Sequence, residues 1–375
     1  MTDKSGAHRL LTYLEDEYGV ASDEMPEATG TTKLDLVIDI GNSETYALGV
    51  VGGFMGKPLR LPSIKSVRGA NAAALLSSRG RAGDWRALAA DEHVVTAKGV
   101  DRFVGQLAVR SATFPTSARG SEERYSDGWN LDFLYAAVGK LTGNSDRVQA
   151  RIITGLPFDL WGGFQGVVKS ALKGSHEFQY NGVAKRLTVT SVEVEREGHS
   201  AWWALPAAWK TGLVLVLDWG GHTCNILLIA PDGTVVNGTT QPVGMETILD
   251  DISAATPRPL SIPERMAMQA AIRDEADAFV IPFGSDMIDV LPIARRYITD
   301  AVRTFAQKLK ATIPQQQRSM IATVALVGGT AYAVAEELRK EIPVLKTLTR
   351  EHEFANLVGN AAKHGLIEAK AKGGR

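Results

Sequence analysis

The sequence predicts a two-domain α/β fold in which one strand-and-hairpin unit occurs twice. Three observations carry that expectation. The chain has 375 residues, more than one hydrophobic core usually organises. Residues 34–52 read as a buried strand, a glycine turn and a second strand (LDLVIDIG, then TYALGVVG). Residues 213–230 repeat that order (LVLVLDWGG, then CNILLIA), and each copy is followed by a further short strand.

Composition narrows the class. Apolar residues are 45% and charged residues 22%, ordinary for a globular protein, and the formal net charge of -1 provides no global field for nucleic acid or membrane. A single cysteine, Cys224, excludes an internal disulfide framework and fits a reducing compartment. No apolar run approaches the roughly eighteen residues of a membrane span, and the first residues lack the layout of a signal peptide. A cytoplasmic protein is the expectation.

Residues 1–33 read as an appendage and linker. Leu10, Leu11, Leu14 and Tyr18 share one helical face, and a polar stretch follows. Packing on the body, docking to a partner and disorder all stay open for it. The body starts at Leu34. Five of the seven residues from Leu34 to Ile40 are apolar, too continuous for a half-wet strand, so this strand is buried on both faces. After the hairpin come a glycine-rich turn, residues 52–57, and a third strand in residues 58–63.

In mid-chain, residues 151–161 give a strand ending in a Gly-Leu-Pro turn, residues 186–195 alternate as a strand, and residues 199–209 read as a helix. Beyond the second unit, with its third strand in residues 234–240, periodicity predicts helices in residues 244–254 and 295–313. Residues 320–342 read as strand, glycine turn and helix, and a last helix occupies residues 352–370 before a frayed tail.

The chemistry concentrates where buried strands end. Each repeated strand finishes on an aspartate, Asp39 or Asp218, with a glycine two residues later, Gly41 or Gly220. A glycine turn at a strand end exposes backbone N–H groups in a concavity suited to phosphate oxygens. Two such turns from two domains can grip one polyphosphate. Mg²⁺ takes one or two carboxylates, several waters and phosphate oxygens, which suits Asp39 and Asp218. Each aspartate alone could equally cap a turn; the duplication favours the functional reading. A third signal is the strand running into Gly328, Gly329 and Thr330 at a helix start, where a base or ribose could approach the backbone.

Other signatures are absent. The 52–58 segment resembles a phosphate-binding P-loop only superficially, since Val51 stands where its first glycine belongs and Pro58 replaces the Ser or Thr. His222 is the one histidine in a glycine turn, and a lone histidine is more often a turn or core residue than a ligand. Cys224 and the cluster of Trp202, Trp203 and Trp209 read as packing.

Taken in order, DIGNSET, DWGGHTCN and LVGGTA resemble the phosphate-1, phosphate-2 and adenosine motifs of the actin superfamily. Within it the chain is most similar to the ParM/StbA plasmid-segregating actins and their archaeal relatives, with support from LPSIKS and ITGLPFDLW. The resemblance implies a two-domain actin-like (duplicated ribonuclease-H-like) fold with nucleotide in the interdomain cleft. Domain I would span residues 34–210 and domain II residues 211–355, with residues 356–375 forming a C-terminal helix and tail that return to domain I.

Residue by residue, it places Asp39 near the metal and its waters, with Gly41, Asn42 and Ser43 as the first phosphate loop. Asp218, Gly220, Gly221 and Thr223 would form the second, and Gly328, Gly329 and Thr330 would line the adenosine. Glu197 lies where ParM-like proteins keep a glutamate that orients the attacking water, though Glu193 and Glu195 are close by. Three departures stand out. Tyr46 replaces a lysine common seven residues after the first aspartate, Asn225 replaces a second aspartate, and Arg196 replaces a proline. Slow hydrolysis, or another cation in the lysine's role, is the consequence.

The implied function is an ATPase that binds ATP (GTP left open) with Mg²⁺ and forms nucleotide-dependent filaments with itself, head to tail, for plasmid segregation or cytoskeletal positioning. A DNA-bound adaptor would link it to cargo, with no direct membrane or sequence-specific nucleic-acid contact. The alternative is a non-polymerising nucleotide switch of the same fold. A small-molecule kinase is a third reading, disfavoured by the short insertions after each hairpin.

Overall fold

The structure is a computed structural model and describes residues 30–56, 58–67, 92–111, 116–117, 125, 129–348 and 352–368. The expected N-terminal helical face at Leu10, Leu11, Leu14 and Tyr18 and the tail at residues 369–375 lie outside the described residues. Two compact units form. One contains the described residues up to Ala204 together with those from Asn356 onward; the other is Leu205–Ala355.

The first unit is built on an eleven-stranded sheet. Its strands are β1 (Thr32–Ile40), β2 (Glu44–Val51), β3 (Phe54–Met55), β4 (Leu59–Pro62), β5 (Ile64–Val67), β6 (His93–Ala97), β7 (Val100–Val104), β8 (Thr116–Ser117), β9 (Arg147–Leu156), β10 (Gly174–Tyr180) and β11 (Val183–Arg196). β1 pairs antiparallel with β2 and parallel with β9, which pairs parallel with β11. Helices α1 (Gln106–Ser111), α2 (Trp129–Leu141), α3 (Phe158–Leu172) and α4 (His199–Ala204) belong to the same unit. Leu34, Leu36 and Ile38 of β1 share a core with Phe133, Leu134 and Ala137 of α2 and with Val168 and Leu172 of α3. That burial explains the near-continuous apolar run of β1. The final helix, Ala355–Lys363, docks on α4: Asn356 Oδ1 accepts from the N–H groups of Gly198 at 2.9 Å and Ala201 at 3.2 Å.

The second unit repeats the plan. β12 (Leu213–Trp219), β13 (Cys224–Ile229), β14 (Val235–Gln241), β17 (Ile321–Val327) and β18 (Leu345–Thr347) form a five-stranded sheet ordered β14-β13-β12-β17-β18. A separate hairpin pairs β15 (Val280–Phe283) with β16 (Asp286–Asp289). Helices α5 (Met245–Ala255), α6 (Ile262–Arg273), α7 (Leu291–Thr312), α8 (Gln315–Arg318) and α9 (Ala331–Glu341) complete it. In the first unit the run β4-β2-β1-β9-β11 has this same third-second-first-fourth-fifth order. The repeat read from two short segments therefore extends to a five-strand run of each unit's sheet.

Three elements differ from the sequence reading. Residues 199–209 do not make one helix: α4 ends at Ala204 and a 3-10 turn, Ala207–Trp209, follows Pro206. Proline lacks the N–H a continuing helix needs and disfavours helical backbone in the residue before it. The last helix stops at Lys363, and Gly365 has φ +70°, a left-handed end that glycine accepts readily. Residues 52–57 include a two-residue strand, Phe54–Met55, against β2.

Candidate functional site

In each sheet, the residues singled out from the sequence lie at the carboxyl edge of the parallel strands, where open α/β sheets place ligands. In the second unit β12 ends in Asp218 and runs into Gly220 and Gly221, and the adjacent β17 runs into Gly328, Gly329 and Thr330. In the first unit β1 ends beside Asp39 and Gly41, β9 ends at Gly155 and Leu156, and β11 leads to Glu197.

The two repeated turns close identically. Gly41 N–H donates to Glu44 O at 3.0 Å, and Gly220 N–H donates to Thr223 O at 2.8 Å. A Cβ on Gly41 would stand 2.7 Å from that Glu44 oxygen, so the close approach itself requires glycine. The aspartates also occupy matching register positions: Asp39 opposes Tyr46, and Asp218 opposes Asn225.

The second turn is held from three sides. Met245 N–H donates to Gly220 O at 3.3 Å, Glu246 N–H to Gly221 O at 2.6 Å, and Thr330 N–H to Trp219 O at 2.9 Å. Thr330 Oγ1 adds a bond to Gly220 O at 2.7 Å, and Thr330 is buried. Thr330 thus ties the third motif to the second; its hydroxyl is engaged with the protein. Because a trans peptide sets C=O and N–H antiparallel, tying the Gly220 and Gly221 carbonyls to the protein turns the N–H groups of Gly221 and His222 the opposite way. An anion would meet donors there, with the repelling oxygens facing inward.

Gly328 has φ +96°, and a Cβ on it would lie 2.5 Å from Trp219 O and 2.8 Å from Asp218 Oδ1. Glycine is needed there on both counts. Its N–H donates to His352 O at 2.6 Å, while its own carbonyl lies 3.1 Å from His352 Nδ1. Gly329, by contrast, has open space where a Cβ would stand. The pair therefore divides its work: Gly328 packs on β12, and Gly329 leaves room.

Asp218 is buried, at 3% exposure. Asn225 Nδ2 donates to Asp218 Oδ2 at 3.2 Å, and Thr240 Oγ1 donates to Asn225 Oδ1 at 2.9 Å. This relay fixes the carboxylate through β13 and β14. Burial, then the Asp218 charge, pushes the neighbouring Cys224 thiol well above its ordinary pKa, so the cysteine is inert core.

In the first unit, Asp39 is half-buried. Across β2 and β4, Asp39, Tyr46 and Arg60 occupy one row of cross-strand partners. Arg60 is bonded to Glu44 Oε1 through Nη2 at 2.6 Å and Nε at 3.1 Å, and Tyr46 Oη donates to Glu44 Oε2. A guanidinium therefore stands beside the position where the resemblance expected a lysine. Strand alternation could have placed Glu44 and Tyr46 on one face, but the pairing of β4 with β2 is a tertiary fact.

The three nearby glutamates separate by environment. Glu195 binds Lys363 Nζ at 2.6 Å and His364 Nε2 at 2.8 Å. Burial would raise its pKa, but hydrogen bonds from Lys363 and His364 outweigh that and hold it below the usual carboxylate value. Glu193 lies across from Ile153 within the β11–β9 ladder. Glu197 sits past the strand end, its N–H bonded to Leu156 O at 2.9 Å and its Cγ 3.2 Å from where a Cβ on Gly155 would stand. Arg196 stacks its guanidinium over Trp161 at 4.2 Å, so the residue replacing the expected proline anchors the approach to Glu197.

Among the described residues no group of three His, Cys, Asp or Glu could cage a metal; Asp39 in the first unit and Asp218 in the second each offer one carboxylate. Among the described residues, no helix is long and apolar enough to cross a membrane.

A duplicated sheet of this order, with glycine turns at matching strand ends, is the actin-like fold. Residues 37–199 match the family model described as "Actin like proteins N terminal domain". Among solved structures, the archaeal actin homologue Ta0583 is 17% identical, with a TM-score of 0.71 over 88% of this chain and 99% of that one. The same homologue in complex with ADP is 16% identical with a TM-score of 0.68, again over 88% and 99%. A ParM in a 15-stranded filament from Clostridium botulinum is 18% identical with a TM-score of 0.68, covering 88% of this chain and 98% of that one. No curated protein matches the chain. The resemblance to the actin superfamily and the two-domain actin-like fold are thus borne out, the first unit by family model and both by structure.

Proposed function

We propose that this chain binds ATP with Mg²⁺ through its two glycine turns, hydrolyses it, and assembles head to tail into nucleotide-dependent filaments. The carrying observation is the second turn, whose Gly220 and Gly221 carbonyls are tied to Thr330, Met245 and Glu246; a trans peptide then sets the N–H groups of Gly221 and His222 on the side opposite those bonds. A preorganised row of donors suits phosphate, where catalysis is mostly placement and charge stabilisation. Support for the nucleotide comes from the ADP complex of the archaeal homologue, and support for assembly from the ParM filament.

Asp39 and Asp218 would hold magnesium through its waters, and the bound ion supplies charge neutralisation at the phosphates. Glu197 would orient the attacking water. Arg60, with Tyr46, would stand in for the absent lysine. Plasmid segregation through a DNA-bound adaptor is the process we favour, since a net charge of -1 suits indirect contact with DNA.

Right-angle light scattering of the full chain with Mg·ATP, Mg·ADP and no nucleotide tests the assembly. A rise with ATP that decays as phosphate is released supports it. A flat trace at high protein concentration, with calorimetric ATP binding intact, leaves the nucleotide switch as the function.

A further inference from the structure

Among the described residues the N–H of Gly329 has no hydrogen-bond partner, although its neighbours on both sides are tightly bonded. Gly329 is half-buried, so it still meets solvent, and open space lies where a Cβ would stand. Backbone donors are nearly always paired in folded proteins, and one left unpaired beside free space is a donor that a ligand can complete.

What aims this donor is the peptide it belongs to. Gly328 O accepts from Ala331 N–H at 3.1 Å and lies 3.1 Å from His352 Nδ1. A carbonyl oxygen only accepts, so Nδ1 carries the proton and donates it. His352 O in turn accepts the Gly328 N–H at 2.6 Å, so Gly328 exchanges two bonds with one residue. The 3-10 turn His352–Phe354 that carries the ring is anchored by Phe354, which is buried. From the other side, Trp219 O and Asp218 Oδ1 press against Gly328. A trans peptide sets C=O and N–H antiparallel, so holding the Gly328 oxygen toward His352 turns the Gly329 N–H the opposite way.

We infer that His352 is a nucleotide-positioning residue: through Gly328 it fixes the Gly329 N–H as a donor to the bound nucleotide. This rests on the nucleotide reading above, and it deepens that reading by giving a role to a side chain 24 positions beyond the glycine it holds. Gly328 packs on Trp219, the residue before the Gly220 turn, and β17 is the strand next to β12. The donor therefore lies one strand along the sheet edge from the second glycine turn, within the span of one nucleotide. A dipole already held in place needs no ordering when the ligand arrives, which is what the imidazole contributes.

The test is a double-mutant cycle on the full chain. Mg·ATP is titrated calorimetrically into wild type, His352→Ala, His352→Asn, Gly329→Ala and the double variant His352→Ala/Gly329→Ala, with thermal melts of each free protein. His352→Ala is expected to raise Kd about five-fold, the scale of one neutral hydrogen bond. The amide nitrogen of asparagine falls near the locus of Nδ1, so His352→Asn should stay within about two-fold of wild type. Gly329 lies outside the left-handed backbone region and has room for a methyl group. Gly329→Ala should therefore melt at or above the wild-type temperature, yet bind ATP about ten-fold more weakly because the methyl group shields the N–H. The two losses should not multiply: the double variant should match Gly329→Ala, since the ring acts only through that peptide. Losses that multiply, or unchanged affinity in either single variant, overturn the inference and leave the nucleotide reading standing. Gly329→Ala keeps the test decisive even if His352→Ala fails to fold. Wild type that binds no purine triphosphate at millimolar concentration overturns both.

Discussion

Asp218 and Asn225 are direct cross-strand partners on β12 and β13, and Asn225 Nδ2 donates to Asp218 Oδ2 at 3.2 Å. The corresponding pair in the first unit is Asp39 and Tyr46 on β1 and β2. The partner differs, but the strand-end aspartate and its glycine turn are kept. One unit supports its aspartate with an amide relay through Thr240; the other sets Tyr46 and Arg60 in a row beside it, both bonded to Glu44.

Asp218 is expected to be needed for turnover and to matter for folding as well. Asp218→Asn keeps the volume but not the charge, and should abolish magnesium-dependent phosphate release with little change in melting temperature. Asp218→Ala also removes an acceptor from the buried Asn225, costing roughly 1–3 kcal/mol in a urea melt. Wild-type turnover in Asp218→Asn would remove the second turn from the active site.

Arg60 has a side chain at 10% exposure and binds a Glu44 carboxylate at 25%, so the pair is shielded from solvent. Removing one partner from such a pair is more damaging than the pair's net worth suggests. Arg60→Ala should destabilise the first unit by roughly 1–3 kcal/mol and weaken ATP binding. Arg60→Lys keeps the charge without the two-pronged geometry, and should recover more affinity than stability. Chemical melts and calorimetry on both variants separate the effects. Equal ATP affinity across all three proteins would confine Arg60 to a structural role.

The pieces of this fold that sequence reasoning could reach are those with local causes. Buried strands with continuous apolar runs, the Gly41 and Gly220 turns and the long amphipathic α7 follow from residue spacing. The role of Gly328 is different. Its glycine requirement comes from Trp219 O and Asp218 Oδ1, more than a hundred positions earlier in the chain. Likewise, Asp218 is buried on a strand flanked by β13 and by the distant β17, and Arg60 reaches Tyr46 only because β4 returns along β2. Thr330 read as a ligand contact from its motif; its hydroxyl bond to Gly220 is a tertiary pairing that spacing does not encode.

Glu197 and Glu195 make opposite predictions. Glu197→Gln should slow phosphate release about a hundred-fold while leaving ATP affinity within about three-fold, because it would remove a water-orienting group and no core contact. Glu195→Gln weakens the link from β11 to Lys363 and His364, and should lower the melting temperature with turnover per folded molecule unchanged. Steady-state phosphate release and differential scanning fluorimetry on the two variants decide which glutamate belongs to the chemistry. The reverse pattern would transfer the catalytic assignment to Glu195.

The start of α6 gives a prediction in pH. Ser261 caps the helix, Glu264 Oε2 accepts from Ser261 N–H at 2.8 Å, and Arg258 binds both carboxylate oxygens, at 2.9 and 2.5 Å. The Arg258 hydrogen bonds lead the causes that lower the Glu264 pKa from 4.5 to about 2. A depressed carboxylate binds its proton less readily in the folded state, so its contribution is complete above about pH 4.5 and disappears as pH falls toward 2. Both side chains are partly solvated, at 34% for Arg258 and 23% for Glu264, so the effect is that of a screened cap, about 1 kcal/mol. Glu264→Ala should therefore lower urea stability by that amount at pH 7, with the gap to wild type closing as pH drops from 4.5 toward 2. A gap that stays constant across this range would mean that side-chain packing, and not the charged cap, holds the helix start.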